Sequence, residues 1–245
     1  MSYLALSNEL VRQYLEYRYG SSFDKEKIRK LFKYIHPFLV SENQLPVHSN
    51  DRAIIGKQIE SDPLMSCVGE ISKEDDLVKM TRLKLMLTDK NEDKPFVTVN
   101  VITDEIKVNF SGTYKANNRR EKAREHIKAL LEDASHIRIV DKYLARDRCW
   151  AKCKEILKQI LPEKHVRIII STTSEAGDAI SGKKKKELQN LYNEWEVKGQ
   201  KFNDSQYHDR YIETDKVKII LSSGVENLSD DGKDLTYVVE VKEKE

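Results

Sequence analysis

The stretch from His136 to Thr172, HIRIVDKYLARDRCWAKCKEILKQILPEKHVRIIIST, decides the fold that the sequence predicts. It opens with an alternating apolar run, HIRIVD, which is typical of a strand. The next run, DRCWAKCKEILKQIL, places apolar residues at helical spacing, and the β-branched run HVRIIIST predicts a second strand. Alternation of strands and helices predicts an α/β sheet that is covered on both faces.

The sequence on either side of this stretch extends the pattern. Residues 115–134 carry apolar side chains on one helical face, and residues 183–195 predict a further helix. Three more strands are predicted, at residues 207–214, 216–223 and 235–243. We therefore expect residues 116–245 to form one α/β domain.

The first 115 residues follow a different pattern. Residues 1–40 predict two helices, the first of which includes Leu6 and the second of which ends before Pro37. After a stretch of weak periodicity, alternating runs predict three consecutive strands, at residues 81–89, 96–103 and 105–114. A tight hairpin is expected between the last two. These residues are predicted to form a small α+β region of unknown role.

The composition of the 245-residue chain limits the classes of protein it can belong to. Its net charge of +2 is close to balance, so any basic site must be local. No apolar run approaches the ~20 residues of a membrane span, and the N-terminus is too polar for a signal peptide. Cys67, Cys149 and Cys153 form no even framework, which indicates reduced thiols. We expect a cytoplasmic protein with no metal ion and no cofactor.

Two sequence motifs match, or nearly match, known phosphate-binding patterns, but each lacks a residue or a secondary structure that the pattern requires. GDAISGKK, residues 177–184, nearly spells a P-loop, yet Lys184 stands where that motif has a metal-binding hydroxyl. HIKALLED, residues 126–133, has the spacing H-x-K-x4-D but lies in a predicted helix. Side chains two residues apart on a helix diverge by about 200°, so they cannot serve one phosphate. We expect His126 to be a partly exposed helix residue.

A third motif lies on a predicted strand. His208, Arg210 and Asp215 have the spacing H-x-R-x4-D within HDRYIETD. Because side chains alternate along a strand, His208 and Arg210 share one face, whereas Asp209 points to the other. The small-residue turn SSGVEN, residues 222–227, follows the next predicted strand.

The region from about Ile137 to the end of the chain resembles a phospholipase D-like domain with a single catalytic motif. The resemblance rests, in this order, on IRIVDKYL, VRIIIST and HDRYIETDKVKIILSSG. It is strongest to a subgroup that has HDR in place of H-x-K, found in bacterial and phage proteins and in one eukaryotic MIT-domain protein. The resemblance covers less than half of the chain. It implies an α/β/α sandwich with a mixed sheet for residues 116–245.

The resemblance also implies roles for individual residues. His208 would attack phosphorus, and the partner's His208 would act as acid and base, which requires a homodimer with the site on its two-fold axis. Arg210 would bind the phosphate in place of the usual lysine. Asp215 and Asp141 would support the site. The turn residues that would hold the phosphoryl oxygens are Ser222, Ser223 and Asn227.

Two functions follow from these roles. In the first, the protein is a metal-independent phosphodiesterase, in particular a nuclease in a bacterial or phage defence setting. In the second, the domain has lost catalysis and binds phosphate groups of nucleic acid, lipid or a protein partner. The retained His208 favours the first function, and the replacement of lysine by Arg210 favours the second. In both, the N-terminal region is a candidate for contacting a protein partner.

Overall fold

A computed structural model describes residues 3–20, 22–33, 37–45, 60–104, 109–173, 180–202 and 209–242. Within these residues the chain has a mixed α/β fold with two sheets, which confirms the α/β class predicted from the sequence. The chain divides into two units, Met1–Val108 and Asn109–Glu245, and each has its own sheet. No helix in the described residues is long and apolar enough to cross a membrane.

The N-terminal unit is built on a sheet whose five described strands all run parallel, in the order β3-β2-β1-β4-β5. The strands are β1 Leu4–Leu6, β2 Phe38–Ser41, β3 Met65–Val68, β4 Leu85–Thr88 and β5 Val97–Asn100. The helices are α1 Asn8–Tyr19, α2 Lys25–Leu31 and α3 Glu74–Lys79. The side chains of Ser7 and Asp24 cap α1 and α2 by accepting backbone N–H groups of the first turn.

Helices cover both faces of this sheet. On one face, Ala5 and Met86 share a hydrophobic core with Leu77 of α3. On the opposite face, the Tyr14 ring of α1 meets the Phe38 ring edge-on. Because both faces are buried, the strands have continuous apolar runs such as LAL, FLVS and LMLT instead of alternating ones.

The N-terminal unit differs from the sequence prediction in three ways. Leu4–Leu6 forms the central strand β1, although the sequence predicts Leu6 inside the first helix. The predicted hairpin is wrong, because β5 pairs parallel with β4, and residues 110–114 pair with a strand of the C-terminal unit. The all-parallel sheet also makes this unit α/β and not α+β. Short runs that are buried on both faces have no alternation by which a strand could be recognised.

The C-terminal unit has a mixed sheet of seven strands in the order β6-β12-β11-β10-β7-β8-β9. β7, β8 and β9 are mutually parallel, and the other neighbours pair antiparallel. The strands are β6 Phe110–Tyr114, β7 His136–Val140, β8 Val166–Thr173, β9 Trp195–Phe202, β10 Arg210–Glu213, β11 Val217–Leu221 and β12 Leu235–Val241. The helices are α4 Glu121–Leu131, α5 Asp147–Ile160 and α6 Gly182–Gln189.

The three α-helices of this unit lie on one face of its sheet. Each helix joins two strands by a crossover that steps in the same direction along the sheet, so right-handed crossovers place all three on the same side. On that side, His126 Nδ1 of α4 and the Tyr237 hydroxyl of β12 are hydrogen-bonded at 2.8 Å. The expected α/β/α sandwich therefore has one helical layer here within the described residues. The two-sided arrangement belongs to the N-terminal unit.

One strand of this sheet does not follow from the sequence pattern. Trp195 is predicted to lie in a helix, but α6 ends at Gln189 and Trp195 begins β9. The Trp195 indole N–H donates to the Pro162 carbonyl at 2.9 Å, and its backbone pairs with Val166 of β8. These tertiary contacts outweigh the local apolar spacing on which the helix prediction depends.

Candidate phosphate-binding site

Arg210 and Asp141 meet where β10 begins and β7 ends. The antiparallel register pairs Tyr211 with Val140, so the next pair along the two strands is Arg210 and Asp141. Arg210 Nε lies 3.8 Å from Asp141 Oδ1, which is an ion-pair distance and too long for a hydrogen bond. Open α/β sheets place their sites at this carboxyl edge of the parallel strands. The structure thus brings together two residues that the sequence selects for the site.

Asp141 is fully buried, and backbone groups hold its carboxylate. Oδ1 accepts the N–H of Tyr143 at 2.9 Å, and Oδ2 accepts the N–H of Val225 at 2.8 Å. Burial raises the pKa of Asp141, while the two hydrogen bonds and the Arg210 charge act in the opposite direction. The carboxylate ties the end of β7 to the turn after β11 and places a counter-charge beside Arg210.

An aromatic ring also contacts the Arg210 guanidinium. Arg210 Cζ lies 5.8 Å from the centre of the Tyr143 ring, and Arg146 Cζ lies 3.7 Å from the same centre. Lys142 Nζ is 5.4 Å away from it. The Arg210 side chain is 26% exposed and donates no hydrogen bond to any of the described residues. Nε is buried, so an anion such as phosphate would reach the exposed part of this guanidinium.

The turn after β11 lies beside Arg210, because Leu221 pairs with Arg210 in the ladder between β10 and β11. Ser222 is exposed, but its Oγ accepts the backbone N–H of Thr236 at 2.8 Å. Ser223 Oγ donates to a backbone carbonyl at 3.4 Å. The Ser223 O–H is therefore used within the fold, whereas the Ser222 hydroxyl acts there only as an acceptor and keeps its own O–H as a donor.

Two backbone N–H groups of this turn are not used in the hydrogen bonds of the described part of the fold. Within the described residues, the N–H groups of Ser223 and Gly224 have no acceptor. Consecutive backbone N–H groups in a turn form an anion-binding concavity. The turn therefore offers a ligand two backbone N–H groups and the exposed Ser222 O–H.

Asn227 has a structural role in the loop that follows the turn. Its side chain is buried, and Oδ1 accepts the N–H of Lys233 at 2.9 Å. Its backbone carbonyl accepts a hydrogen bond from Arg120, a fully buried residue for which the sequence gives no functional signal. The Asn227 side chain is thus held in the loop through its amide oxygen, and only its Nδ2 group could donate to a phosphate.

Asp215 does not join this group. It is exposed in the turn between β10 and β11, whereas Arg210 is at the other end of β10. Five residues of extended chain separate the two, roughly 16 Å. Strand spacing alone placed Asp215 in the motif, and the antiparallel hairpin carries it to the far edge of the sheet.

Two residues near the site are not indicated by the sequence. Glu226, in the 3-10 helix Val225–Leu228, has a buried Oε2 with no hydrogen-bond partner among the described residues. Its carboxylate lies against Gly224, where it leaves no room for a side chain. Burial raises the pKa of Glu226, and the Asp141 charge raises it further. Burial, together with these two carboxylates, also raises the pKa of the Cys153 thiol.

The raised pKa of Glu226 predicts a pH-dependent penalty to stability. A carboxyl group with a raised folded-state pKa stabilises the fold fully below its unfolded pKa, near 4.5, and this stabilisation is lost as the pH rises through the folded value. Glu226→Gln should therefore gain stability relative to the wild type as the pH rises above about 4.5. Urea unfolding at several pH values measures the difference. Exposed Glu132→Gln is the control, and parallel pH profiles for the wild type and Glu226→Gln would contradict the prediction.

The other predicted residues have different outcomes. His208 lies outside the described residues, as do residues 177–179 of the P-loop-like segment. Lys184 of that segment is buried, donates to the Ala145 carbonyl and pairs with Asp147 at 2.8 Å, so its role is structural. HIKALLED is helical as expected, but His126 is buried and not partly exposed. Among the described residues, no group of His, Cys, Asp or Glu side chains is arranged to hold a metal ion.

The solved structures that are similar to this chain include NucT and TrmBL2. No protein-family model matches the chain, and no curated protein matches it. NucT from Helicobacter pylori is 10% identical with a TM-score of 0.32, over 54% of this chain and 84% of that one. TrmBL2, an archaeal chromatin protein described with a novel mode of DNA binding, is 14% identical with a TM-score of 0.27, over 57% and 48%. At such TM-scores neither likeness carries an argument about this chain.

Proposed function

We propose that the C-terminal unit binds a phosphodiester of nucleic acid beside Arg210 and hydrolyses it without a metal ion. The observation that carries this proposal is the Arg210 guanidinium, which is held by a buried carboxylate and an aromatic ring while its own N–H groups have no acceptor in the described residues. A guanidinium binds phosphate oxygens in a planar, two-pronged geometry. The N–H groups of Ser223 and Gly224, which have no acceptor among the described residues, add donors at the same edge.

The cations around Tyr143 favour nucleic acid as the source of the phosphodiester. Lys142, Arg146 and Arg210 all lie near one half-buried ring, although the whole chain carries a net charge of only +2. Cationic grooves with aromatic rings bind the backbone and the bases of single strands. This local patch supplies the basic site that the overall charge does not. Cleavage of foreign DNA or RNA is the setting that the phospholipase D-like resemblance suggests for such a site.

His208 supplies the hydrolytic step in this proposal. An imidazole nitrogen of His208 forms a bond to phosphorus as the bond to the leaving oxygen breaks, and the partner's His208 gives that oxygen its proton. Water then attacks the phosphohistidine, passes a proton to the partner's His208 and releases the phosphate with the first histidine restored. Because each chain supplies one such histidine, the active form is a homodimer with the site on its two-fold axis.

Arg210 and Asp141 have positioning roles in this reaction. Arg210 holds two phosphate oxygens, and Asp141 fixes where Arg210 stands. A misplacement of the phosphate by ~1 Å can lower the rate ~100-fold. The contact between Arg210 and Asp141 therefore decides whether phosphorus is in line with the nucleophile.

A second candidate function is phosphate binding without cleavage. The observation that favours it is the pair of carboxylates beside Arg210. Asp141 Oδ1 lies 3.8 Å from Arg210 Nε. Glu226 is close enough to Arg210 for the Arg210 charge to lower its pKa. When Glu226 is ionised, its negative charge repels an incoming anion. This repulsion is compatible with weak, reversible binding of phosphate, but it works against the stabilisation of a highly charged transition state.

One assay separates the two functions. The purified chain is incubated with labelled single- and double-stranded DNA and RNA in EDTA, and both cleavage and binding are measured. For the enzyme, cleavage persists in EDTA and is lost in His208→Ala, while Arg210→Ala weakens binding at least about tenfold. Asp215→Ala is the matched control, because this exposed acid lies at the far end of β10 and should leave both readouts unchanged.

The other outcomes decide against one or both functions. Binding that is unchanged in His208→Ala but weakened in Arg210→Ala, with no cleavage by the wild type, supports the binding module. No binding to any of the four nucleic acids, or equal binding by Arg210→Ala and the wild type, contradicts both. A monomer at all concentrations in sedimentation experiments excludes the shared two-histidine site.

A further inference from the structure

The N-terminal sheet has a change of direction in its strand order, and a cavity lies beside it. From β1 the chain steps outward to β2 and β3 on one side, whereas β4 and β5 lie on the other side of β1. The loops that leave β1 and β4 therefore separate at the carboxyl edge of the sheet, which is where doubly wound sheets bind ligands. A cavity of about 270 Å³ lies there, between residues 7–9 after β1 and residues 88–90 after β4.

The rest of the lining comes from three further segments of the same unit. Thr98 of β5 and Glu74 of α3 border the cavity, together with Glu92 and Lys94 from the connection between β4 and β5. Lys94 Nζ lies 3.0 Å from both Glu74 and Glu92, so this one lysine joins α3 to the connection. The cavity is therefore bordered by ordered, mutually paired side chains.

Each carboxylate of the lining is paired with a cation of the same unit, and Lys94 is shared by two of them. Arg12 pairs with Glu9 at 2.7 Å, and Lys27 lies 2.8 Å from Asp89 and 3.4 Å from Glu9. The hydrogen bond from Arg12 lowers the pKa of Glu9 to about 2. Glu9 thus remains an ionised acceptor at neutral pH, and three cations pair with the four carboxylates of the lining.

Two polar side chains of the lining, those of Lys90 and Thr98, have no partner among the described residues. Lys90 is exposed and has no carboxylate partner among the described residues. The half-buried hydroxyl of Thr98 has no hydrogen-bond partner in that part of the chain either. Within the described residues, a cation and a hydroxyl without partners stand beside carboxylates that accept hydrogen bonds, and this suits a ligand that has both an anionic oxygen group and hydroxyl groups.

We propose that this cavity binds a sugar phosphate, either free or as part of a mononucleotide. Lys90 and Thr98 bind the phosphate oxygens, and the paired carboxylates accept hydrogen bonds from the sugar hydroxyls. The size of the cavity suits one such molecule and not a polymer. This site is independent of the phosphodiester site proposed for the C-terminal unit.

The test is calorimetric titration of the full chain with four probes: ribose 5-phosphate, AMP, inorganic phosphate and ribose. It is carried out in an Arg210→Ala background, so that phosphate binding in the C-terminal unit does not contribute. Ribose 5-phosphate, AMP or both should bind at one site per chain, and more tightly than inorganic phosphate or ribose. Tighter binding of AMP than of ribose 5-phosphate identifies a nucleotide, and the reverse order identifies a free sugar phosphate.

Two variants assign the binding to the cavity. Lys90→Ala should weaken it about tenfold, and Thr98→Val, which keeps the shape and removes the hydroxyl, should weaken it by a similar factor. Lys33→Ala is the matched control, since Lys33 is an exposed lysine of the same unit and does not line the cavity. Absence of saturable binding, affinity unchanged in both variants, or inorganic phosphate binding as tightly as the sugar phosphates would overturn the proposal.

Discussion

Replacing Arg120 by methionine is expected to lower the free energy of unfolding of the C-terminal unit by about 3–5 kcal/mol. Arg120 is fully buried, and its guanidinium donates to backbone carbonyls before α4 and in the loop after β11. The carbonyls belong to Lys115, Asn227, Gly232 and Lys233. Methionine keeps much of the side-chain volume but donates no hydrogen bond, so these carbonyls lose their partner.

Tryptophan fluorescence during urea unfolding measures this loss selectively. Trp150 and Trp195, the two tryptophans of the chain, both lie in the C-terminal unit. Arg119→Met is the matched control, because Arg119 is exposed and adjacent in sequence, and its change should stay within about 0.5 kcal/mol. Coincident unfolding curves for the two variants would show that the buried guanidinium does not hold the loop.

Replacing Asp141 by alanine is expected to cost the same unit about 2–4 kcal/mol. The substitution leaves the N–H groups of Tyr143 and Val225 without their acceptor and removes the counter-charge of Arg210. Asp141→Asn should cost about half as much, since its single side-chain oxygen can accept only one of the two N–H groups. The same fluorescence measurement compares the two variants.

Asp215→Ala provides the comparison for Asp141. Both aspartates are candidates from the sequence, but Asp215 is exposed, so its removal should change stability by no more than about 0.5 kcal/mol. Equal costs for Asp141→Ala and Asp215→Ala would contradict the account of Asp141 as the group that joins β7 to the turn. A larger loss in Asp141→Asn than in Asp141→Ala would contradict the assignment of its two hydrogen bonds.

The C-terminal unit was the more predictable half of the fold. Strand β7, helix α5 and strand β8 lie where the pattern in His136–Thr172 predicts them. Their periodicity is clear because α5 has one apolar face, and because residues of β7 alternate between the helix-covered face and a less buried one. The N-terminal unit was less predictable because its strands of three or four residues are buried on both faces. A run such as LAL shows neither the two-residue alternation of a half-buried strand nor the 3.6-residue repeat of a helix.

Some residues of the candidate site could likewise be predicted from the sequence, and others could not. The sequence selected Arg210 and Asp141, and these residues meet. It could not indicate that Asn227 Oδ1 accepts the N–H of Lys233, which holds this side chain in the loop. Glu226 and Arg120 carry no motif, because their importance comes from burial and from partners more than 80 residues away in sequence.

By itself, the sequence determined the α/β class and the strand–helix–strand core of the C-terminal unit, and it selected Arg210 and Asp141 as site residues. The class and the core follow from local periodicity, which neighbouring side chains on one strand or helix decide, whereas the two site residues follow from the resemblance of short motifs to a known family. The tertiary structure alone decided the doubly wound order of the N-terminal sheet, the cavity beside β1 and β4, and the buried charges around Arg210. Strand order and the burial of a charge depend on contacts between segments far apart in the chain, and no local pattern records them.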